Sequence, residues 1–297
     1  MPSPEQRRIR AQFSPGADTP EVPLEQARRE WEEAAARAPL PPGVAAEALE
    51  IAGVPAEWIG TAGQTGGPVL LYLHGGGFTS GSCVTHRPLA AHLSQAAMRV
   101  LLLDYRLAPE HPLPAGLEDA VAAYRWLLAG GVAPKRIALG GDSAGAALAL
   151  GALLRLRDAG LPVPGAAVLL SPWLDLTLSG ESIHTRAALD PLTTRAGLAR
   201  AAELYLGGAD PADPLASPLF GDLRGLPPLL IQSADHEVLL SDGVRLAERA
   251  RRAGVDATLE VWDELWHVWH AWADELPEAR EAIARAGAFL RARLATD

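Results

Sequence analysis

"RIALGGDSAGAALALGALL", residues 136–154, decides the fold, because an apolar run, a glycine-flanked serine and a long Ala/Leu stretch follow one another without interruption. The pattern G-x-S-x-G at residues 141–145 is typical of a sharp turn from a buried strand into a helix, with the serine at its tip. Glycines on both sides remove side chains that would clash in such a turn. The stretch therefore predicts a strand, a helix from residue 144, and an accessible hydroxyl on Ser143 between them.

Short apolar runs bounded by turn residues recur on both sides of this stretch. Runs that are apolar on both faces are typical of central strands in a parallel sheet covered by helices. Helical patterns lie between the runs, and three of them end in glycine. This alternation predicts an α/β fold with a mostly parallel central sheet and helices on both faces. The predicted strands are 68–73, 99–104, 136–141, 165–171, 227–233 and 257–262, and the predicted helices are 88–97, 116–130, 144–160 and 241–254.

Two segments fall outside the alternation. Residues 1–45 contain a charged amphipathic stretch, and residues 178–222 contain a helical pattern among turns rich in proline and aspartate. Helical insertions after the carboxyl end of a strand lie over the ligand site of an open α/β sheet. We therefore expect an N-terminal cap segment at 1–45 and a cap insertion at 178–222, with the core divided between 46–177 and 223–297.

The composition excludes several classes of protein. The 297 residues carry a net charge of -10 and no dense basic block, which argues against a nucleic-acid partner. A single cysteine, Cys83, excludes an intramolecular disulfide and a cysteine-rich zinc site. The N-terminus lacks the apolar core of a secretion signal, and no apolar stretch is long enough to span a bilayer. These features predict a cytoplasmic protein without a membrane span.

A serine nucleophile needs a base within hydrogen-bond reach, and the base needs an acid that orients it. In the chain order that accompanies G-x-S-x-G, both partners follow the serine. His267 occupies the loop just beyond the last apolar strand and is the predicted base, with His270 as its alternative. A metal site built on these two histidines is disfavoured, because no further ligand lies near them in the sequence. The histidines that follow Ser143 are His184, His236, His267 and His270.

The acid is expected in "LLIQSADHEVLLSD", residues 229–242, after the penultimate strand. Asp235 comes first beyond the strand end, where its side chain could reach the next loop, and it is the predicted acid. Glu237 is the alternative. Asp242 is more simply interpreted as the N-cap of the helix that follows.

The motif "HGGG", residues 74–77, follows another predicted strand. An attacked carbonyl develops a negative oxygen that needs preorganised N–H donors. The N–H of Ala144 and the N–H groups of a glycine loop are the usual sources beside a G-x-S-x-G turn. A phosphate cradle is disfavoured, because neither G-K-[ST] nor a complete G-x-G-x-x-G pattern follows.

The chain resembles the bacterial hormone-sensitive-lipase-like esterases, also called family IV, of the α/β-hydrolase superfamily. The resemblance implies an α/β-hydrolase core with a helical cap, the catalytic triad Ser143, Asp235 and His267, and oxyanion donors at Gly76, Gly77 and Ala144. It also implies a serine carboxylesterase for short- to medium-chain acyl esters that needs no metal or cofactor. The motifs that carry it occur in the family's order: "HGGGF" (74–78), "DYRLAPEHPLPAGLEDA" (104–120), "GDSAG" (141–145), "SPWLDLT" (171–177), "DPLASPL" (213–219) and "WHVW" (266–269).

Alternative functions stay open within this resemblance. The stretch after Asp235 is similar to that of lactone and acetyl-ester hydrolases, and an amidase would use the same residues. Some relatives bind ligands without catalysis after losing the catalytic histidine, so the presence of His267 favours an enzyme. Family members commonly pair through the last strand and helix, here residues 257–294, which predicts a possible homodimer.

Two further expectations concern side-chain contacts. Arg106 and Glu110 are expected to form an ion pair that stiffens the loop behind the glycine motif. Trp31, Trp266 and Trp269 are expected either to close a substrate pocket that favours short acyl chains or to pack in the core.

Overall fold

The computed structural model describes residues 2–13, 22–96 and 98–294. Eight strands form one sheet in the order β1-β2-β4-β3-β5-β6-β7-β8. The strands are β1 Val44–Ile51, β2 Val54–Thr61, β3 Val69–Leu73, β4 Arg99–Leu103, β5 Ile137–Asp142, β6 Ala166–Leu170, β7 Leu229–Ala234 and β8 Ala257–Trp262. The helices are α1 Pro4–Arg10, α2 Leu24–Ala35, α3 Cys83–Ala96, α4 Ala115–Ala129, α5 Ala144–Asp158, α6 Ser182–Thr185, α7 Arg195–Leu206, α8 Leu240–Arg252 and α9 Pro277–Arg293.

The strands from β3 to β8 are all parallel, which confirms the predicted central sheet and its six strands. Alternate residues of β3 pack on opposite faces. Leu71 and Leu73 join a core layer with residues of α4, α5 and α8, whereas Leu70 and Tyr72 join a layer with residues of α3 and α9. Successive side chains of a strand point to opposite faces of the sheet. Since both sets pack against helices, helices cover both faces.

An antiparallel hairpin, β1 and β2, extends the sheet beyond β4 and was not predicted. Its strands are half exposed and carry charged residues, so they lack the continuous apolar run that marks the buried strands. A two-residue turn joins them, with positive φ at Ala52 and Gly53, as a type I′ hairpin turn requires. The predicted cap boundary at residue 45 falls inside β1, which begins at Val44.

The topology brings the ends of several strands to one edge. Parallel strands end on the same side of a sheet, so the loops after β3, β5, β7 and β8 share that edge. The segment between β6 and β7 contains α6 and α7, and α2 packs against α3. Within the described ranges, no helix combines the length and the apolar character needed to cross a membrane.

Candidate active site

Ser143 lies at a strained turn between β5 and α5. Its φ of 52° and ψ of -121° are unusual for a residue with a side chain, and such strain is common at functional sites. Its N–H donates to the Leu170 carbonyl at 2.9 Å, and its carbonyl accepts the N–H of Trp173 at 3.1 Å. A Cβ at Gly141 would lie 2.5 Å from the carbonyl carbon of Gly145. The close backbone approach explains why glycines flank the serine.

The imidazole of His267 is held by Glu237. Nδ1 of His267 lies 2.9 Å from Oε2 of Glu237, whose other carboxylate oxygen accepts the N–H of Ala234 at 2.8 Å. Glu237 is fully buried. A proton on Nδ1 satisfies this contact and leaves Nε2 free to accept one. Burial lowers the pKa of His267, but the hydrogen bond and the charge of Glu237 raise it by more, so that its pKa lies above the ordinary value.

The prediction of Asp235 as the partner of this histidine is wrong. Asp235 follows directly on β7, and its carboxylate accepts the N–H of Glu264 at 2.5 Å, in the loop after β8. Its side chain is 32% exposed. The chain turns back after β7, so that the side chain two residues further on, Glu237, returns to the strand end and reaches the imidazole. Glu237 was the alternative that the sequence left open.

His270, the alternative base, is directed away from the cleft. Its Nε2 lies 3.0 Å from Oε1 of Gln232, and its side chain is fully buried. His184 is exposed, and His236 lies 3.9 Å from the carboxylate of Asp235. Among the four histidines after Ser143, only His267 lines the same cavity as the serine.

Asp242 is not the helix cap that the sequence suggested. It lies within the first turn of α8, where one carboxylate oxygen accepts the N–H groups of Leu174 and Asp175 at 2.7 and 2.9 Å. Burial raises the pKa of Asp242 to about 7. The carboxyl group therefore joins α8 to the loop that follows β6.

Backbone donors lie beside the serine. Gly76 and Gly77 have φ values of 116° and 64°, which favour glycine, and a side chain at Gly76 would collide with the Ser80 carbonyl. Within residues 2–13, 22–96 and 98–294, the N–H groups of Gly76, Gly77 and Ala144 have no hydrogen-bond acceptor. Ala144 is the first residue of α5, whose N-terminus adds partial positive charge. These free donors suit an oxygen that becomes negative.

The buried carboxylate of Asp142 binds the backbone of the glycine loop. Oδ1 of Asp142 accepts the N–H of Gly75 at 3.1 Å and the hydroxyl of Tyr72 at 2.8 Å. Nε2 of His86 lies 3.4 Å from Oδ2 of Asp142 and 3.2 Å from the N–H of Gly75. Burial raises the pKa of Asp142, but its contacts with His86 and Tyr72 lower it by more, so that its pKa lies below the ordinary value. Sequence analysis missed His86, because no motif surrounds it.

A cavity of about 720 Å³ lies over the serine. Ser143 and His267 both line it, although among the described residues no direct hydrogen bond joins the two. Such contacts are often long before substrate binds. The lining combines polar groups near the serine with apolar walls: Trp31, Gly76, Gly77, Thr85, His86, Pro88, Leu89, Asp142, Ser143, Trp173, Leu192, Thr193, Thr194, Gly197, Leu198, Ala201, His267, Val268, Ala271 and Trp272.

Of the two arrangements expected for the three tryptophans, two of the side chains adopt core packing and one lies at the pocket. Trp266 and Trp269 are fully buried in the core layer that contains α9, and only Trp31 of the expected three lines the cavity. Trp173 and Trp272 line it instead. Trp173 lies in a loop and Trp272 ends a short 3₁₀ helix, Trp269–Trp272, and in neither setting does a sequence pattern tell which way an aromatic side chain points.

The expected pair of Arg106 and Glu110 does not form. Arg106 binds Asp119 of α4, with its closest contact at 2.7 Å, and Glu110 accepts two hydrogen bonds from Arg28 of α2 at 2.9 Å. The partner of Arg106 lies 13 residues further along the chain, and the partner of Glu110 lies 82 residues before it. The close spacing of Arg106 and Glu110 therefore did not indicate the true partner of either residue.

Comparisons with known proteins agree with this geometry. A family profile described as alpha/beta hydrolase fold matches residues 70–271. An acetyl-hydrolase of Streptomyces hygroscopicus is 53% identical over 253 residues, covering 85% of this chain and 83% of that protein. An esterase of Acinetobacter venetianus is 38% identical over 253 residues, covering 84% of this chain and 83% of its own.

The structural comparison extends over nearly the whole chain. The crystal structure of an esterase from the bacterial hormone-sensitive lipase family superimposes with a TM-score of 0.93 at 51% identity, covering 99% of this chain and all of that one. The fold, the motifs and the similarity therefore agree. The chain belongs to the bacterial hormone-sensitive-lipase family of esterases, carboxylic-ester hydrolases with the alpha/beta hydrolase fold.

Proposed function

We propose that the chain hydrolyses short- to medium-chain acyl esters with Ser143 as nucleophile, His267 as base and Glu237 as the acid that orients it. The N–H groups of Gly76, Gly77 and Ala144 stabilise the oxyanion. One observation carries this proposal: a serine in a strained turn and a carboxylate-held imidazole line one cavity beside free backbone donors.

The reaction follows from the roles of these groups. Nε2 of His267 takes the hydroxyl proton while Oγ of Ser143 attacks the ester carbonyl, and the carbonyl oxygen becomes negative. The imidazolium then gives its proton to the departing alcohol, which leaves an acyl-serine. Water then attacks the acyl group while Nε2 of His267 takes its proton, and the imidazolium returns a proton to Oγ of Ser143 as the carboxylic acid departs. Glu237 stabilises the imidazolium in both steps, and each oxyanion donor contributes about 10²- to 10³-fold in rate. The proposal needs no cofactor.

The size of the acyl group follows from the cavity walls. The bulky side chains of Trp31, Trp173 and Trp272 are part of its lining, which supports short chains over long ones. The acetyl-hydrolase among the relatives supports acetyl groups as substrates. Lactones and amides would use the same nucleophile and donors, so they are the competing substrate classes.

The test uses purified protein and a p-nitrophenyl ester of a short acid. We expect Ser143→Ala to lower turnover by at least about 10³-fold, as for removal of a serine nucleophile in other enzymes. An organophosphate should label Ser143 in the wild type and leave Ser143→Ala unmodified, whereas a ligand-binding relative would not be labelled. Ser94→Ala, on α3 and outside the cavity lining, is the control. Wild-type turnover by Ser143→Ala would refute the assignment.

We further propose that the protein acts in the cytoplasm as a homodimer that pairs through β8 and α9. The lone cysteine, Cys83, is buried and free, as suits a reducing compartment.

The proposed pairing rests on the edge of the sheet. β8 is an edge strand of the sheet and leaves Val261 44% exposed. An unpaired edge of this kind can pair with a second chain.

A further inference from the structure

Helix α2 borders the cavity through one partly covered aromatic residue. It packs against α3, yet none of its residues is buried. Its residue Trp31 lines the cavity, with 39% of its surface exposed. The indole meets the ring of His86 edge-on at a centroid distance of 5.5 Å. Trp31 therefore stands at the boundary between the cavity and solvent.

Among the described residues, Arg28 is the side chain of this helix that forms hydrogen bonds with the loops below it. Nε of Arg28 donates to the Thr79 carbonyl at 2.7 Å, and Nη2 donates to the Ala108 carbonyl at 2.8 Å. The same guanidinium binds both carboxylate oxygens of Glu110 at 2.9 Å. A guanidinium carries its donors in one rigid plane, so contacts in several directions fix its orientation as well as its distance.

The attachment points belong to the loops that follow β3 and β4. Thr79 lies just after the glycine motif, and its N–H donates to the Gly76 carbonyl at 3.1 Å. Arg28 thus joins α2 to the loop that carries the oxyanion donors. Arg28 and Trp31 are three residues apart, so they project from the same side of the helix.

We propose that Arg28 is a positioning residue that holds Trp31 at the mouth of the cavity, and that this contact limits the length of the substrate chain. The inference rests on the proposed function, because it concerns substrates of the Ser143 site. Loss of the Arg28 contacts releases α2, since no buried apolar residue holds the helix in place. Trp31 then withdraws, and the cavity accepts longer chains.

The experiment compares p-nitrophenyl esters with acyl chains of two to twelve carbons. We expect Trp31→Ala to raise kcat/KM for the eight-carbon ester, relative to the two-carbon ester, by about tenfold, the order that one or two packed methylenes provide. Arg28→Ala should raise the same ratio, mainly through a change in KM. The ratio for Arg28→Lys should lie between those of Arg28→Ala and the wild type. Arg29→Ala is the matched control, because Arg29 is exposed on the same helix. It should keep the wild-type ratio.

A double variant separates positioning from a general loss of structure. If Arg28 acts through Trp31, Arg28→Ala combined with Trp31→Ala has the length profile of Trp31→Ala alone. The inference would be refuted if the effects of the two single variants on the length profile added up in the double variant. It would also be refuted if Arg28→Ala and the wild type had the same length profile. Those outcomes leave the esterase proposal intact. Absence of Ser143-dependent turnover in the wild type would instead refute the proposed function itself.

Discussion

At the scale of single residues, the choice between two nearby carboxylates determines the chemistry. We expect Glu237→Gln to lower kcat/KM by about 10³- to 10⁴-fold, because an amide N–H facing Nδ1 of His267 imposes the wrong tautomer. The Gln side chain can still accept the N–H of Ala234, so the fold should persist. Steady-state kinetics with a short-chain ester measures the effect.

Asp235→Asn is the matched control for this variant. Its amide oxygen can still accept the N–H of Glu264, and its side chain is partly exposed, so turnover should stay within about threefold of the wild type. A large loss in Asp235→Asn together with near-normal turnover in Glu237→Gln would return the role of the acid to Asp235.

The sequence predicted Ser143 and His267, which line one cavity, but named Asp235 rather than Glu237 as the partner of the imidazole, for a physical reason. Ser143 is fixed by glycines that the turn requires, and His267 by its position after the last strand. Asp235 and Glu237 are two residues apart at the end of β7. Which of them faces the imidazole depends on how the backbone turns, and residue spacing does not contain that information.

At the scale of elements, Asp242 joins α8 to the loop after β6, and its contribution to the free energy of unfolding depends on pH. Its carboxyl pKa is about 7 in the folded chain against an ordinary value of 3.8. Between these pH values the folded state binds a proton that the unfolded state has released. The contribution of Asp242 to stability is therefore complete below about pH 4 and is lost as the pH rises towards about 7.

The variant Asp242→Asn removes this titration and keeps an oxygen for the N–H groups of Leu174 and Asp175. The free energy of unfolding, measured by denaturant titration at about pH 5 and about pH 8, should fall less with pH in the variant than in the wild type. Between about pH 5 and the folded pKa of about 7 lie about two pH units, so the fall in the free energy of unfolding can differ between the two proteins by at most about 3 kcal/mol. Parallel pH profiles of the two proteins would contradict this expectation.

The elements also differ in how far sequence could predict them. The strands β3 to β7 are buried on both faces or nearly so, and short apolar runs marked them, whereas the edge strand β8 is only partly buried. The hairpin of β1 and β2 is half exposed, and its alternation is interrupted by small and charged residues. The position of α2 over the cavity depends on the contacts of Arg28 with residues 51 to 82 positions away, which no local pattern encodes.

At the scale of the whole molecule, the two edges of the sheet are unequal. The edge strand β1 presents Glu47 and Glu50, which are exposed, and charged side chains discourage pairing at an edge. The other edge strand, β8, presents Val261, exposed to 44%, and its Glu260 lies 3.6 Å from Arg285 of α9. The unequal edges favour pairing through β8 when two copies of the chain associate.

This asymmetry supports a test of the proposed homodimer. Gel filtration with light scattering should give twice the chain mass of 31.3 kDa for the wild type. Val261→Lys should give the monomer mass, because a lysine on an edge strand opposes pairing with a like edge. Val22→Lys is the matched control, since Val22 is exposed to a similar extent, 42%, and lies outside β8 and α9. A wild type that elutes at the monomer mass over a wide concentration range would exclude the dimer, and a dimeric Val261→Lys would exclude β8 as its interface.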